Sequence, residues 1–164
     1  MEAMEIVFGE FVRDMGQIVQ HPYVLLILFV ALAFDFINGF HDAANSIATV
    51  VGTRVLRPLP AVVWAAWWNF AAAWVFGVAI ANTVGKMVHK EFVTPDVIFA
   101  GLIGAIVWDL ITWYVGLPTS SSHALLGGFG GAAMAHAWKF SGVLQWERFV
   151  KTVQYIVVSP FVGL

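Results

Sequence analysis

Residues 58–85 contain no charged side chain, and this run constrains the fold more than any other feature of the sequence. A helix needs about 20 mostly apolar residues to cross the hydrocarbon core of a bilayer. The run is long enough for that, and its only amide side chains are Asn69 and Asn82. It predicts a membrane-spanning helix over residues 61–84.

The composition of the whole chain agrees with this prediction. Hydrophobic residues make up 60% of the 164 residues and charged residues 11%, whereas a soluble domain carries about 25% charged residues. So little charge excludes a soluble globular domain, a disordered chain and a basic nucleic-acid-binding module. The chain has no cysteine, which excludes disulfides and thiolate metal sites.

Two further apolar segments, 23–51 and 97–115, are also long enough to cross a membrane. A Gly-rich apolar segment follows at 123–138. The stretch 116–122, between the segments 97–115 and 123–138, contains Gly, Pro and Ser residues that predict a break between two helices. The sequence therefore predicts an all-α integral membrane protein, a polytopic helical bundle.

The N-terminal segment, residues 1–22, is the most polar part of the chain. Its apolar residues recur at helical spacing, which predicts an amphipathic helix in the membrane interface. A solvated N-terminal helix fits the same pattern. Residues 23–164 form the predicted transmembrane domain. In that domain Gly127, Gly131 and Ala135 lie four apart, a spacing that predicts close helix packing.

Five polar residues inside the first predicted span fall on one helical face, because they are spaced 3, 4, 3 and 4 apart. They form the polar stripe: Asp35, Asn38, Asp42, Asn45 and Thr49. A charged side chain at the centre of a membrane helix costs about 2.5–3.5 kcal/mol on insertion scales. The stripe must therefore face protein, water or ions, and its oxygen atoms suit sodium or a divalent cation. A stripe of interhelical hydrogen bonds with neutral Asp residues is the alternative.

Two neighbours of the stripe add to this prediction. Gly39, with the amides around it, predicts local unwinding of the helix, as in the broken helices of transporter sites. His41 has the chemistry of a proton carrier, because the reference pKa of histidine is about 6.5. It is equally suited to be a hydrogen-bonded structural histidine, and both roles stay open.

A second polar motif lies at the predicted helix break. Pro118 ends one helix, and four hydroxyl residues precede the next. They form the hydroxyl cluster: Thr119, Ser120, Ser121 and Ser122. A helix start offers free N–H groups and the positive end of the helix dipole, so this motif predicts an anion site suited to phosphate. An ordinary capped hairpin is the alternative.

Asp109 lies about three helical turns before the hydroxyl cluster. It predicts cation or proton binding, and a buried, hydrogen-bonded Asp is the competing interpretation. His123 directly follows the serines and is predicted to position their loop. The residue types of a Ser-His-Asp hydrolase are present, but the G-x-S-x-G nucleophile motif is not, so an enzyme is not predicted.

Together, FINGFHDAANSIATVVGT (36–53) and GLPTSSSHALLGG (116–128) resemble the inorganic phosphate transporter (PiT, or Pho4) family. The resemblance covers most of residues 23–164 and is strongest to bacterial low-affinity phosphate transporters. It implies a secondary transporter that moves phosphate, or metal-phosphate, by cation or proton symport. It also implies two inverted halves with broken helices or re-entrant hairpins, and phosphate where the halves meet.

Carried onto this sequence, the resemblance places Asp42 and Asn45 in the substrate and cation site, with Asn38 and His123 in support. The predicted phosphate ligands are Thr119, Ser120, Ser121, Ser122 and Asn45. The predicted residues for cation or proton coupling are Asp35, Asn38, His41, Asp42 and Asp109. Sodium-coupled members usually have Asn where this chain has His41, and H⁺ and Na⁺ both stay open as coupling ions.

Each of the two motifs occurs once, which predicts that the chain is the N-terminal half of such a transporter. The expected partners are inorganic phosphate, a coupling cation or proton, the lipid bilayer, a second transporter half and further copies in a homo-oligomer. No nucleic acid and no cofactor are expected. The expected location is the inner (plasma) membrane, crossed several times, and the alternative function is that of a non-transporting structural or interaction fragment.

Overall fold

A computed structural model of the chain describes Gly16 and residues 20–76 and 85–162. Apolar runs with few helix breakers make these ranges mostly helical. Within the described ranges, the α-helices are α1 (Pro22–Gly52), α2 (Pro58–Phe76), α3 (Pro95–Val115), α4 (Ser121–Ala137) and α5 (Trp146–Val162). One short 3₁₀ turn, Lys90–Phe92, lies in the loop before α3.

The predicted spans at 23–51 and 97–115 are confirmed as helices. Both α1 and α3 are long and apolar enough to cross a membrane. Helix α2 covers the part of the predicted span 61–84 that the structure describes. The amphipathic helix predicted over residues 1–22 lies almost entirely outside the described residues.

Gly39 does not interrupt α1, and the predicted local unwinding is wrong for this helix. Helix α1 is continuous from Pro22 to Gly52. A glycine within a helix costs only about 1 kcal/mol relative to alanine. Unwinding would expose backbone N–H and C=O groups, and each costs several kcal/mol in hydrocarbon without a partner. The continuous helix is therefore the less costly conformation.

Helices α1 and α3 pack side by side and run in the same direction. Near their N-termini, the Tyr23 hydroxyl donates a hydrogen bond to Asp96 Oδ1 over 2.5 Å. Further along, the ring of Phe40 in the second half of α1 and the ring of Trp113 near the end of α3 lie with centroids 5.3 Å apart. Between these contacts, a buried apolar layer joins the two helices, formed by Val30, Phe34, Leu102 and Ala105.

Helix α4 folds back antiparallel to α3 after a tight turn. The turn begins at Gly116, whose φ of +75° is the left-handed conformation that glycine adopts without strain. The Leu117 N–H then donates to the Thr112 carbonyl over 2.8 Å, which satisfies an end of α3. The predicted break at 116–122 is therefore confirmed, with α4 beginning at Ser121.

The backbones of α3 and α4 are in contact at two glycines. A Cβ atom on Gly128 would lie 2.5 Å from the Gly101 carbonyl oxygen, and one on Gly101 would lie 2.8 Å from Phe129 Cα. The predicted packing row is displaced from this contact, because Gly127 and Gly131 face open space within the described residues. The close crossing therefore uses the helix face next to the one predicted from four-residue spacing.

Two loops pack together at the end of the bundle where α3 begins and α4 ends. The His89 N–H donates to the Val143 carbonyl over 3.0 Å, and the Gln145 N–H donates to the Met87 carbonyl over 2.8 Å. Met87, Val88 and Val143 are buried beneath these bonds. We call residues 85–94 and 138–145 the paired loops, and α5 starts directly after them.

The glycine contact gives a first prediction. Gly128→Ala places a methyl group against the Gly101 carbonyl and should lower the free energy of unfolding by about 1–3 kcal/mol. Gly131→Ala is the matched control on the same helix, where the methyl group meets open space and helix propensity improves by up to about 1 kcal/mol. Reversible unfolding in mixed detergent micelles measures both, and equal effects of the two substitutions would contradict this packing.

Candidate functional site

The polar stripe of α1 is divided between a buried and an open side. Asn38 is half-buried, whereas the other stripe residues, Asp35, Asp42, Asn45 and Thr49, are exposed in this chain. His41 is only 5% exposed and shares with Phe34 the face that packs on α3. A helix turns about 100° per residue, so residues seven apart lie on nearly the same side. His41, predicted only as a neighbour of the stripe, is therefore the residue that reaches the interior.

Asp109 and Ser121 meet where α3 and α4 run past each other. Neither residue has any exposed surface. The Ser121 hydroxyl lies beside the Asp109 carboxylate, although the atoms are not aligned as a hydrogen bond. His41 and Asp42 lie within electrostatic range of the same carboxylate. The structure thus brings residues of three helices, α1, α3 and α4, around Asp109.

Several buried polar atoms at this place have no hydrogen-bond partner among the described residues. They are Asn38 Oδ1, His41 Nδ1 and Nε2, Asp109 Oδ1 and Oδ2, and Ser121 Oγ. An unsatisfied buried polar group costs about 1–3 kcal/mol, and folded proteins pair most such groups. We call Asn38, His41, Asp109 and Ser121 the polar cluster. The cost of leaving these atoms without hydrogen-bond partners is explained if they bind a ligand from outside the chain.

The N-terminus of α4 is recessed and partly buried, with Ser121 buried and Ser122 exposed. Helix α3 continues past Asp109 to Val115, so α4 begins about 9 Å short of the end of α3. Ser120 precedes α4, and its side chain makes no capping hydrogen bond. The first N–H groups of a helix have no intrahelical partner, and they carry the positive end of the dipole. The Ser120 hydroxyl therefore leaves these N–H groups uncapped.

Other predicted site residues lie outside the polar cluster. Thr119 and His123 line a groove of about 380 Å³ between α3 and α4, together with Gly104, Trp108, Ala124, Gly127 and Gly128. Ser122 and His123 are exposed. The structure therefore gathers His41, Asp109 and Ser121, with Asn38 about one helical turn before His41, and leaves Asp35, Asn45 and Ser122 exposed. Asp42 is exposed but electrostatically close to Asp109.

Thr112 belongs to this region, and sequence reasoning missed it. It is buried, and its hydroxyl donates to the Trp108 and Asp109 carbonyls, each over 3.0 Å. The position of Thr112, three residues after Asp109, was the signal in the sequence that could have identified it. Thr112 holds the helical turn that carries the Asp109 carboxylate.

Neither a metal centre nor a hydrolase triad is assembled in the part of the chain that the structure describes. No group of three or more His, Asp or Glu residues converges there as metal ligands. The nucleophile and the base of a triad must be within hydrogen-bond reach, but the Ser121 hydroxyl has no hydrogen-bond partner among the described residues and so is not paired with His123.

An apolar helical bundle with a buried polar cluster at a recessed helix N-terminus defines the class of this molecule: a membrane protein with an intramembrane polar site. The profile of the phosphate transporter family (PHO4) matches residues 38–164. The chain therefore belongs to this family. It is a family of transporters and not of enzymes, which agrees with the sequence prediction.

Three curated relatives illustrate the similarity. A probable low-affinity inorganic phosphate transporter of Rhizobium meliloti is 52% identical over 143 residues, 87% of this chain and 42% of the relative. One of Bacillus subtilis is 45% identical over 142 residues, 85% of this chain and 42% of the relative. The low-affinity inorganic phosphate transporter PitB of Escherichia coli is 36% identical over 157 residues, 87% of this chain and 32% of the relative.

The chain thus spans less than half the length of these three relatives. No solved structure matches the chain.

The unpartnered hydroxyl of Ser121 gives a second prediction. Ser121→Ala removes a buried polar group without a partner, and should raise the ligand-free stability by up to about 1–3 kcal/mol. Thr112→Val is the control of nearly equal shape, and should lower stability by about 1 kcal/mol because the Thr112 hydroxyl is hydrogen-bonded. Unfolding of the phosphate-free chain in detergent measures both, and a loss of stability in Ser121→Ala would refute the assignment.

Proposed function

We propose that this chain forms part of a secondary transporter that moves inorganic phosphate across the inner membrane by cation or proton symport. The observation that carries the proposal is the polar cluster, whose buried atoms lack partners beside the N-terminus of α4. The family membership supports phosphate as the substrate, as do the names of the relatives.

Phosphate binds at the recessed N-terminus of α4. Its oxygen atoms accept hydrogen bonds from the first N–H groups of the helix and from the hydroxyl cluster, Thr119 to Ser122. Ser121 is the hydroxyl closest to Asp109 and provides the innermost contact. Asn45 of α1 completes the proposed phosphate ligands from the open side of the bundle.

The electrostatics of this site require a positive partner. Neither lysine nor arginine belongs to the polar cluster, whereas Asp109 lies within it and Asp42 lies within electrostatic range. Placing an anion beside carboxylates in a low-dielectric interior is costly unless a cation or proton accompanies it. Phosphate and its coupling ion therefore bind together, which is the thermodynamic basis of symport.

The coupling residues have separate places in this proposal. His41 and Asp109 form the buried part of the coupling site, and Asn38 is the third residue proposed for it. Asp35 and Asp42, with Asn45, lie on the open face of α1 and meet the second half of the transporter. Residues 23–164 then act as the N-terminal half of a multi-pass protein with inverted halves, and copies of it assemble as a homo-oligomer.

A third prediction tests the phosphate site. Ser121→Ala and Ser120→Ala each remove a hydrogen bond to a charged ligand, which weakens binding by about tenfold or more. Ser141→Ala, in an exposed loop, is the control and should leave uptake unchanged. Uptake of radiolabelled phosphate by proteoliposomes carrying the whole transporter measures the KM of each variant.

An unchanged KM in Ser120→Ala and Ser121→Ala would contradict the phosphate assignment. Absence of phosphate uptake and binding by the whole protein would instead favour a non-transporting membrane fragment.

A fourth prediction concerns the coupling ion. His41→Asn removes a group that can carry a proton from the buried part of the site, and should reduce uptake driven by an imposed proton gradient. Asn69→Ala on α2 is the control, because the Asn69 side chain donates only to a carbonyl of its own helix. Proton and sodium gradients are imposed separately on the same proteoliposomes. Full proton-driven uptake by His41→Asn would exclude His41 from coupling.

A further inference from the structure

The end of the bundle formed by the paired loops carries a net positive charge. Of the positively charged side chains in the described ranges, most belong to the paired loops or the start of α5: Lys86, Lys90, Lys139, Arg148 and Lys151. The remaining two, Arg54 and Arg57, follow α1 at the opposite end. Only a few acidic residues accompany the basic group at its own end: Glu91, Asp96 and Glu147. Five basic and three acidic side chains give this end a formal net charge of +2, which favours anions.

The same end exposes large aromatic side chains. Trp138 and Phe140 are 93% and 91% exposed, and Trp146 at the start of α5 is 69% exposed. Aromatic residues next to lysines are typical of the interface between a bilayer and water. The paired loops and the first turns of α5 therefore lie at the level of the lipid headgroups.

A polar pocket of about 350 Å³ opens between the paired loops and α5. Its lining residues are His89, Gln145, Trp146, Glu147, Arg148 and Lys151. Arg148 Nε donates to the Gln145 side chain over 2.7 Å, which orients the guanidinium while its terminal nitrogens stay available. Lys151 pairs with Glu147 over 2.7 Å, and such an exposed pair contributes less than about 1 kcal/mol. An anion can therefore recruit both cations.

An apolar groove of about 430 Å³ begins where this pocket ends. It is formed by one face of α5 alone, between the side chains of Trp146, Phe149, Val150, Val153, Gln154, Val157 and Val158. Trp146 belongs to both cavities, and its ring stacks on Phe149 with centroids 5.6 Å apart. A cationic pocket that continues into an apolar groove matches the shape of an amphiphile, not that of a small soluble anion.

We propose that this composite site binds an anionic phospholipid. The phosphodiester lies in the polar pocket on Arg148 and Lys151, because arginine binds phosphate through paired hydrogen bonds. One acyl chain lies in the groove along α5. The bound lipid fixes α5, none of whose described side chains is buried in the bundle, against the paired loops.

Native mass spectrometry of the detergent-solubilised full chain tests this site by titration with dioleoyl phosphatidylglycerol or dioleoyl phosphatidylcholine. The wild-type chain should bind phosphatidylglycerol about ten- to thirtyfold more tightly than phosphatidylcholine, because two basic groups at a membrane surface attract an anionic lipid to that extent. Arg148→Gln combined with Lys151→Gln should abolish this preference. Arg54→Gln combined with Arg57→Gln removes equal charge from the opposite end and should preserve it.

A second pair of substitutions tests the acyl groove. Val153→Ala with Val157→Ala should weaken binding of both lipids by roughly three- to tenfold, because apolar contact is lost. The preference for the anionic lipid should persist in this variant.

Three results would overturn the proposal. They are equal affinities for the two lipids in the wild-type chain, equal losses in the two charge variants, and displacement of phosphatidylglycerol by millimolar inorganic phosphate. The last result would assign the pocket to a free anion and not to a lipid.

Discussion

The contact between the backbones of α3 and α4 at Gly101 and Gly128 is the constraint on which the site depends. Because these glycines let the helices touch, α4 runs close enough to α3 for Ser121 to reach the Asp109 carboxylate. The same contact keeps Ser121, at the N-terminus of α4, buried against α3. Helix α1, which runs parallel to α3, then adds His41. A local steric requirement thus places the positive end of a helix dipole next to a buried carboxylate.

In the proposed function, this arrangement holds an anion without a lysine or arginine. The N–H groups and hydroxyls at the start of α4 stabilise negative charge through dipoles, which cost little to bury when they are paired. Asp109 opposes an anion unless a proton or cation neutralises it, so the cost of the empty site falls when both ligands are present. The unpartnered atoms of the polar cluster therefore link stability, binding and ion coupling in one physical account.

The sequence was sufficient for the features that are local. Hydropathy gave the spans of α1 and α3, the Gly, Pro and Ser residues gave the break before Ser121, and two motifs gave the family. The rotation of α1 could not be predicted, because lipid is as apolar as a neighbouring helix and hydropathy does not identify the packed face. His41 thus proved more buried than the polar stripe. The glycine row at 127 and 131 was displaced from the real contact for the same reason.

The central claim is that phosphate binds within hydrogen-bond distance of Ser121, at the buried start of α4. The dipolar distance between the phosphorus of bound phosphate and ¹³C-labelled serine Cβ atoms tests this directly, by solid-state NMR of the transporter in lipid. The account predicts contacts of about 4–5 Å, as hydroxyl–phosphate hydrogen bonds require, one of which disappears in Ser121→Ala. Bound phosphate without such contacts, or with all of them unchanged in Ser121→Ala, would contradict the account.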